Sequence, residues 1–358
     1  MENDADIYQS INKKRIYILI LLSLSLFFGA IYAVSLGIAD ISFKDVYGVI
    51  AKKLFGVGAK EYSSFIKGVI FNIRLPRVLL AVITGISLGS NGAVMQSILQ
   101  NPLATPYTLG VSAGSAFGAG LTIILGNVIF GAELMTQYGS WVTIIGAFIF
   151  GVVTILVINL IVSLKNGGIT TLILAGVALS YFFSAGLSFF KYTADREQLT
   201  ELTIWLMGGL YRAEWIDIII LTPIVIIGLL YLLKMAWDIN VLNAGEEIAA
   251  NLGIKVKKMR RLASIIAALL TSCVVAFTGI IGFIGLIAPH ICRMIMGNDN
   301  RFLIIASGLA GALILLGADT AARIIIDPAE LPVGIITSLF GAPFFLYMLL
   351  KRKGDYWS

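Results

Sequence analysis

Long apolar runs, separated by short polar segments, repeat along the whole chain. A helix needs roughly 20 residues to cross a hydrocarbon core of about 30 Å. Runs of that length lie near 16–36, 75–98, 140–163, 170–190, 215–236, 262–281, 302–323 and 332–350. Two shorter or glycine-broken runs, near 108–126 and 282–296, raise the expected number of spans to about ten. The pattern predicts an all-α polytopic membrane protein in which some helices are short or broken.

An even number of spans places both termini on one side of the membrane. Five spans per half would also make the second half inverted relative to the first, as in many transporters. The two halves share no clear sequence pattern, so the prediction of two inverted five-helix halves rests on counting alone.

The side of the membrane is predicted from Lys and Arg near the ends of the spans, which accumulate on the cytoplasmic face. Three basic groups agree: 13–15 before the first run, 351–353 after the last, and five cations within 255–261. The segment 37–73 does not fit this orientation, because it carries several lysines on the face that becomes external. We therefore expect a multi-pass protein of the cytoplasmic membrane with both termini inside, a cytoplasmic N-terminal segment 1–15 and a cytoplasmic loop 238–261.

The composition supports a single transmembrane domain over 1–358. The 358 residues are 58% hydrophobic and 13% charged, and the mean hydropathy is +0.94, which is far too apolar for a soluble chain of this length. The net charge of +6 follows from the membrane topology and gives no reason to expect nucleic-acid binding.

The stretch from Arg74 to Gly118 has the densest local signals. Gly85 and Gly89 lie four residues apart, as do the glycines at 110, 114 and 118, and such stripes let helices approach closely in lipid. The segment Asn101–Pro106 contains two prolines and is expected to end one helix and start the next.

Other segments have simpler predictions. Ile41–Phe55 is expected to form a helix lying at the outer interface through Phe43, Val46, Tyr47, Ile50 and Leu54, and the charged stretch 195–201 is expected to be an external loop. Glu246–Leu252 has helix-forming composition closed by Gly253. Gly279, Gly282 and Gly285, followed by Pro289, predict a broken segment buried in protein next to a pore.

No G-x-x-x-x-G-K-[ST] motif occurs, so the chain has no phosphate cradle of the P-loop type. If the chain transports a solute, the energy must come from a partner ATPase or from an ion gradient. Ion coupling usually leaves acidic or histidine relays inside the spans. Here the main intramembrane charges are Asp319 and Arg323, which are expected to form a local pair. His290 is the sole histidine, and Cys273 and Cys292 are better interpreted as small apolar residues than as metal ligands, so no metal site and no catalytic site are predicted.

Seven sequence motifs follow one another along most of the chain: RLPR from Arg74, GAVMQ, NPLA-P, LGVSAG, AGEEIAANLG, GFIGL–PH–R and a closing ELP-G–T–GAP–F. Through these motifs and their order, the chain resembles the permeases of the FecCD family, the membrane subunits of ABC importers for iron–siderophore complexes, haem and cobalamin. The resemblance implies a permease that works as a pair, with cytoplasmic ATPases that hold the ATP and magnesium and with an external binding protein. A gradient-driven secondary transporter is the alternative, and a membrane receptor without transport activity is a more distant one.

The resemblance also implies roles for particular residues. Arginines at the positions of Arg74, Arg77 and Arg323 receive acidic groups of the binding protein, although interfacial anchoring explains them about equally well. The AGEEIAANLG string matches the segment that contacts the ATPase, with Glu246, Glu247, Ala249, Leu252 and Gly253. Asn101, Leu103, Thr170 and Thr171 match positions that narrow the cytoplasmic end of the pathway, while helix capping is the ordinary alternative for Asn and Thr. The pathway is expected between two permeases, bordered by 170–190, 282–296 and 332–350.

Overall fold

The computed structural model describes residues 2–37, 41–56, 61–326 and 329–351, and the regular elements in these ranges are all helices. They are α1 (Glu2–Ser35), α2 (Phe43–Phe55), α3 (Ser64–Gly68), α4 (Leu75–Ile98), α5 (Val111–Phe130), α6 (Ala132–Leu164), α7 (Ile169–Thr193), α8 (Arg196–Met207), α9 (Trp215–Lys234), α10 (Ala236–Asn243), α11 (Glu246–Asn251), α12 (Val256–Thr278), α13 (Ile284–Met296), α14 (Asn300–Ile324) and α15 (Val333–Lys351). A π-helical turn, Val69–Arg74, joins α3 to α4, and a 3₁₀ turn, Pro106–Leu109, precedes α5.

The number of spans agrees with the sequence. Within the described residues, eight helices are long and apolar enough to cross a membrane, and α13 and the apolar part of α15 are the two shorter ones. The all-α membrane fold is thus confirmed. The most apolar part of the α3–α4 span is 78% buried, against 22% for α7. Helix α4 therefore lies at the centre of the bundle, and α7 lies at its edge.

Helices α4 and α14 are in backbone contact because both carry glycine where they cross. A side chain at Gly85 would meet the backbone of Ala312, and one at Gly89 would meet the carbonyl of Ser307. Ser90 Oγ donates a hydrogen bond to the Ile304 carbonyl at 3.0 Å across the same crossing. The prediction from the glycine spacing is confirmed here, and close backbone packing replaces the hydrophobic drive that lipid does not supply.

The second glycine stripe joins α5 to α6. A side chain at Gly114 would meet Thr154, and one at Gly118 would meet the carbonyl of Gly146. Between the two stripes, α4 ends at Ile98 and the chain turns through the predicted breaker before α5 begins at Val111. The prediction that this segment ends one helix and starts the next is thus confirmed.

The glycine-rich segment after α12 is broken, as predicted. Gly279 has φ of +68° and Phe283 has φ of +67°, so the chain between Thr278 and Ile284 cannot continue the helix. Its backbone groups are satisfied inside the protein: Gly209 N–H donates to the Thr278 carbonyl at 2.8 Å, and the Tyr107 hydroxyl donates to the Ile281 carbonyl at 3.1 Å. Non-helical backbone is tolerated at membrane depth in such surroundings.

Two local expectations need correction. The stretch 195–201 is not a loop, because Asp195 caps the N-terminus of α8 in a reciprocal box with Gln198, and such a cap makes the charged residues a favourable first turn. The predicted outer helix exists as α2, but Val46 and Val49 are its buried residues, whereas Phe43 and Tyr47 are exposed. Packing against neighbouring helices, rather than the apolar face alone, determines how α2 is turned.

Candidate transport and coupling sites

A cluster of four charged side chains joins α4, α14 and the segment before α15. Arg77 Nε donates to Asp319 Oδ1 at 2.9 Å, and Arg77 Nη1 donates to Glu330 Oε2 at 2.5 Å. Arg323 Nε lies 3.2 Å from the other oxygen of Asp319, which confirms the predicted local pair. The Asp319 side chain is fully buried. One carboxylate thus serves two guanidinium groups from different helices.

Two arginines hold the C-terminal end of α1: the neighbouring Arg74, and Arg323 through its Nη1 group. Arg74 Nη1 donates to the carbonyls of Val34 and Ser35, both at 3.0 Å. Arg323 Nη1 donates to the carbonyl of Leu36 at 2.9 Å. The last carbonyls of a helix have no intrahelical partner, and they carry the negative end of its dipole, so cations stabilise them there.

The structure therefore brings together all three arginines that were expected to dock a binding protein. Arg74, Arg77 and Arg323 are each only 4–5% exposed, and their guanidinium groups are bonded to the protein's own carboxylates and carbonyls. The buried positions of these arginines and their partners inside the bundle do not favour the alternative of interfacial anchoring. Their role in docking stays a prediction.

The predicted inner turn follows the buried end of α4. Gln100 has φ of +47°, and the Asn101 side-chain oxygen accepts a hydrogen bond from the Leu103 N–H at 2.9 Å, which closes an Asx turn. Leu103 remains 41% exposed at the tip. Thr170 and Thr171 lie on another element, the first turn of α7, where Thr170 is exposed and Thr171 is half-buried. The gate role assigned to these four residues stays a prediction.

The helix predicted from Glu246 is present as α11 (Glu246–Asn251), and its role in coupling stays a prediction. Gly253 follows with φ of +84°, the left-handed conformation expected after a helix C-terminus. Ala249 is fully buried and fixes the helix against the bundle, whereas Glu247 is exposed. Leu252 is 68% exposed. Ile248, which is 49% exposed beside it, was missed by the sequence interpretation.

Arg260 connects this surface helix to the centre of the bundle. Its Nη2 donates to Glu246 Oε1 at 2.5 Å, and its Nε donates to the Ile98 carbonyl at 2.8 Å. Ile98 is the last residue of α4, directly before the inner turn. In the sequence Arg260 is one of five cations in 255–261, and nothing there distinguishes it from the others. Its position in the fold makes it a link between α11 and α4.

A second polar junction, around Asp299, closes the same end of the bundle. Asp299 accepts hydrogen bonds from Arg15 of α1 at 3.0 Å, from Asn240 of α10 at 2.8 Å and from Arg301 at 2.9 Å. Burial by itself would raise the pKa of Asp299, but the hydrogen bonds from Arg301 and Asn240 and the charge of Arg301 outweigh it and lower the pKa below the ordinary 3.8. The carboxylate is therefore held in its ionised form.

The described part of the chain contains no cluster of side chains suited to bind a metal ion. In those ranges, no three His, Cys, Asp or Glu side chains come together in a way that could hold a metal ion. Cys273 and Cys292 are buried free thiols, and His290 is buried at the middle of α13.

Within the described residues, eight long apolar helices, two shorter ones and a broken segment buried in the bundle are features typical of membrane transport subunits. Comparisons with known proteins agree. The chain belongs to the FecCD transport family, whose profile matches residues 18–351.

Two relatives and one solved structure show how far the similarity extends. An ABC transporter permease protein of Methanocaldococcus jannaschii is 44% identical over 96% of this chain and 97% of its own. The hemin transport system permease protein of Yersinia pestis is 38% identical over 79% of this chain and 83% of its own. A structure described as a metal-chelate type ABC transporter in an inward-facing conformation is 32% identical, with a TM-score of 0.81 over 94% of this chain and 99% of that one.

These similarities cover nearly the whole chain, so the motif-based resemblance is confirmed. The protein is a multi-span permease subunit of an ABC importer.

Proposed function

We propose that this permease forms half of the pathway of a binding-protein-dependent importer for a metal chelate such as an iron–siderophore complex, haem or cobalamin. Similarity to a hemin permease and to a metal-chelate type transporter supports this class of cargo. The proposed partners are cytoplasmic ATPase subunits that bind ATP and magnesium, a second permease, an external substrate-binding protein and membrane lipid, without nucleic acid.

The observation that carries the coupling mechanism is the surface of α11. Ile248 and Leu252 expose large apolar side chains beside the carboxylate of Glu247, in a region that is otherwise rich in cations. An apolar anchor with a charged neighbour is a suitable surface for a protein groove. We assign the predicted coupling residues Glu246, Glu247, Ala249, Leu252 and Gly253 to this contact, with Glu246 and Ala249 holding the helix and Leu252 entering the partner.

Movement of the ATPases would reach the pathway through Arg260. A displacement of α11 pulls on Glu246, the Arg260 guanidinium transmits it to the Ile98 carbonyl, and the turn with Asn101 and Leu103 follows directly. This link turns a surface event into a change at the predicted inner gate, where Thr170 and Thr171 of α7 form the opposite side.

The pathway would lie between two copies of the permease. Helix α7 has the low burial expected of an edge helix, and it exposes Tyr181, Phe182 and Phe189, while α15 exposes Leu339 and Phe340. A pair of permeases would cover such faces and enclose a channel bordered by α7, α13 and α15.

Docking of the external protein would involve the region of Arg74, Arg77 and Arg323. Because these groups already have partners, the binding protein's acids would have to compete with Asp319 and Glu330 for Arg77 and Arg323, and with the carbonyls of Val34 and Ser35 for Arg74. Replacement of each arginine by Gln, with thermal unfolding and binding-protein association measured on the same preparation, tests the role. Association that survives in the folded fraction would assign these arginines to structure alone.

The decisive experiment is purification from the native membrane in mild detergent, followed by mass spectrometry of the bound proteins. We expect ATPase subunits to accompany the wild-type chain and the variant Gln9→Glu, but not Leu252→Glu, which introduces the same charge into the apolar anchor. A chain that purifies alone and transports in vesicles without ATP would favour a gradient-driven secondary transporter.

Two further variants separate binding from transmission. Arg260→Met should keep the ATPase bound, because Ile248 and Leu252 are untouched, yet reduce ATP-driven uptake; Lys255→Met, an exposed neighbour, serves as the control. Full uptake in Arg260→Met would refute the link between α11 and α4.

The predicted gate is tested separately. Leu103→Gly should make the pathway leaky to solute without ATP, and a Leu103→Gly variant that stays tight would argue against a gate at this turn.

A further inference from the structure

A cavity of about 450 Å³, lined by both apolar and charged side chains, lies at the end of the bundle that carries α11. One wall consists of the last turns of α6 and the α6–α7 connection, with Asn159, Ser163 and Asn166. The opposite wall is the first turns of α12, and Glu246 contributes from α11. The cavity therefore opens where three spans meet the aqueous boundary.

The charge in this cavity is strongly unbalanced. Four cations line it, Lys257, Lys258, Arg260 and Arg261, against the single carboxylate of Glu246. That carboxylate is already 2.5 Å from Arg260. Lys257, Lys258 and Arg261 are exposed and form no ion pair with any described residue. Three positive charges thus converge on one cavity without an internal counter-charge.

The backbone adds to the same potential. The wall at Gly168 and Ile169 is the N-terminus of α7, a helix of 25 residues. The positive end of the helix dipole therefore faces the cations across the cavity, in the arrangement that favours phosphate. The side-chain amide of Asn166 and the hydroxyl of Ser163 provide further hydrogen-bonding groups.

The ligand is expected to have an apolar part as well. Leu156, Leu160 and Leu164 lie four residues apart on α6 and are 48%, 57% and 76% exposed, so they form one stripe that ends beside the cavity. Leu262, which follows the basic group on α12, is 45% exposed. A phosphate held at the cavity would place an attached acyl chain along this stripe.

We propose that this cavity is a binding site for the phosphate headgroup of an anionic phospholipid in the same leaflet. Basic pockets between membrane helices on the cytoplasmic side have the charge and depth that such headgroups require. The bound phosphate would lie against the Arg260–Glu246 pair, so occupancy of the site and the position of α11 would be linked. The binding itself does not depend on cargo or on transport.

The test uses the full-length chain in nanodiscs or detergent micelles with defined lipid. Native mass spectrometry would measure retention of phosphatidylglycerol against phosphatidylcholine for the wild type and for the triple variant K257Q/K258Q/R261Q. The control K13Q/K14Q/K255Q removes three cations that do not line the cavity. We expect phosphatidylglycerol affinity to fall on the order of a hundredfold in the first variant and much less in the control. Both variants should unfold at the wild-type temperature, because the altered side chains are exposed.

Four results would overturn the proposal. Equal loss of affinity in both triple variants would mean that net charge, not the cavity, attracts the lipid. Equal retention of the two lipids by the wild type would remove the phosphate-specific site. Complete competition by glycerol phosphate at lipid-like concentrations would assign the site to a soluble phosphate ester. Loss of ATPase association in K257Q/K258Q/R261Q without any change in lipid retention would assign these cations to a protein contact instead.

Discussion

At the scale of single residues, Asp319 is the buried carboxylate on which two arginines of the bundle depend. It is fully buried and pairs with both Arg77 and Arg323, which also bond to Glu330 and to the end of α1. Removal of one partner from a buried ion pair leaves an uncompensated charge, which typically costs about 3–5 kcal/mol.

We therefore expect Asp319→Asn to lower the thermal unfolding temperature in detergent sharply, as followed by tryptophan fluorescence. Glu330→Gln is the matched control, because Glu330 pairs with the same Arg77 but has a side chain that is 34% exposed, so solvent screens its loss. Equal shifts in the two variants would mean that Arg77 does not depend on a buried counter-charge.

Asp299 gives a prediction about pH. Its pKa is lower in the folded protein than the ordinary 3.8, so the stabilisation from its hydrogen bonds is present above about pH 4 and is lost as pH falls through the folded pKa. The difference in unfolding temperature between the wild type and Asp299→Asn should be largest near neutral pH and should shrink below pH ~4. A difference that is constant over this range would show that the charge of Asp299 is not what stabilises the junction.

At the scale of elements, the crossing of α4 and α14 is the most sensitive contact. Gly89→Ala places a methyl group against the backbone carbonyl of Ser307, which cannot move without shifting α14. We expect a loss of about 1–3 kcal/mol, typical of overpacking.

Gly317→Ala in α14 is the control for that variant, because no heavy atom lies within 4 Å of the added methyl group. It should be neutral or slightly stabilising, since alanine favours helix by about 1 kcal/mol. Thermal unfolding of the two variants side by side measures the difference; a stable Gly89→Ala protein would show that the crossing is looser than described.

The elements also show which features the sequence can reveal. Spans, the two glycine stripes and the break before α13 could be predicted because their signals are local: apolar length, glycine spacing and proline. The partners of Arg77 could not be predicted, because Asp319 lies 242 residues away and no local pattern announces the contact. Arg260 was hidden for the same reason, since its role depends on Ile98 at a separation of 162 residues. Helix α8 was mistaken for a loop because the charges of its first turn outweighed the capping pattern of Asp195 and Gln198.

At the scale of the whole molecule, the orientation in the membrane is open to a direct measurement. The native thiols of Cys273 and Cys292 are buried, so an exposed cysteine introduced at one position can be labelled selectively. In right-side-out vesicles, Glu197→Cys should react with a membrane-impermeant maleimide, and Gln9→Cys should react only after the membrane is permeabilised. Reaction of Gln9→Cys in sealed vesicles would invert the topology expected from the basic groups.

The contact between α4 and α14 also determines when this protein can mature during its synthesis. Ser90 and Ile304, which meet across the crossing, are 214 residues apart, and Arg77 receives its carboxylate from the same late helix. The ribosome has made most of the chain before α14 leaves it. Until then, the glycine face of α4 and the guanidinium of Arg77 lack these partners. The central contact of the bundle can therefore form only after α14 has been synthesised.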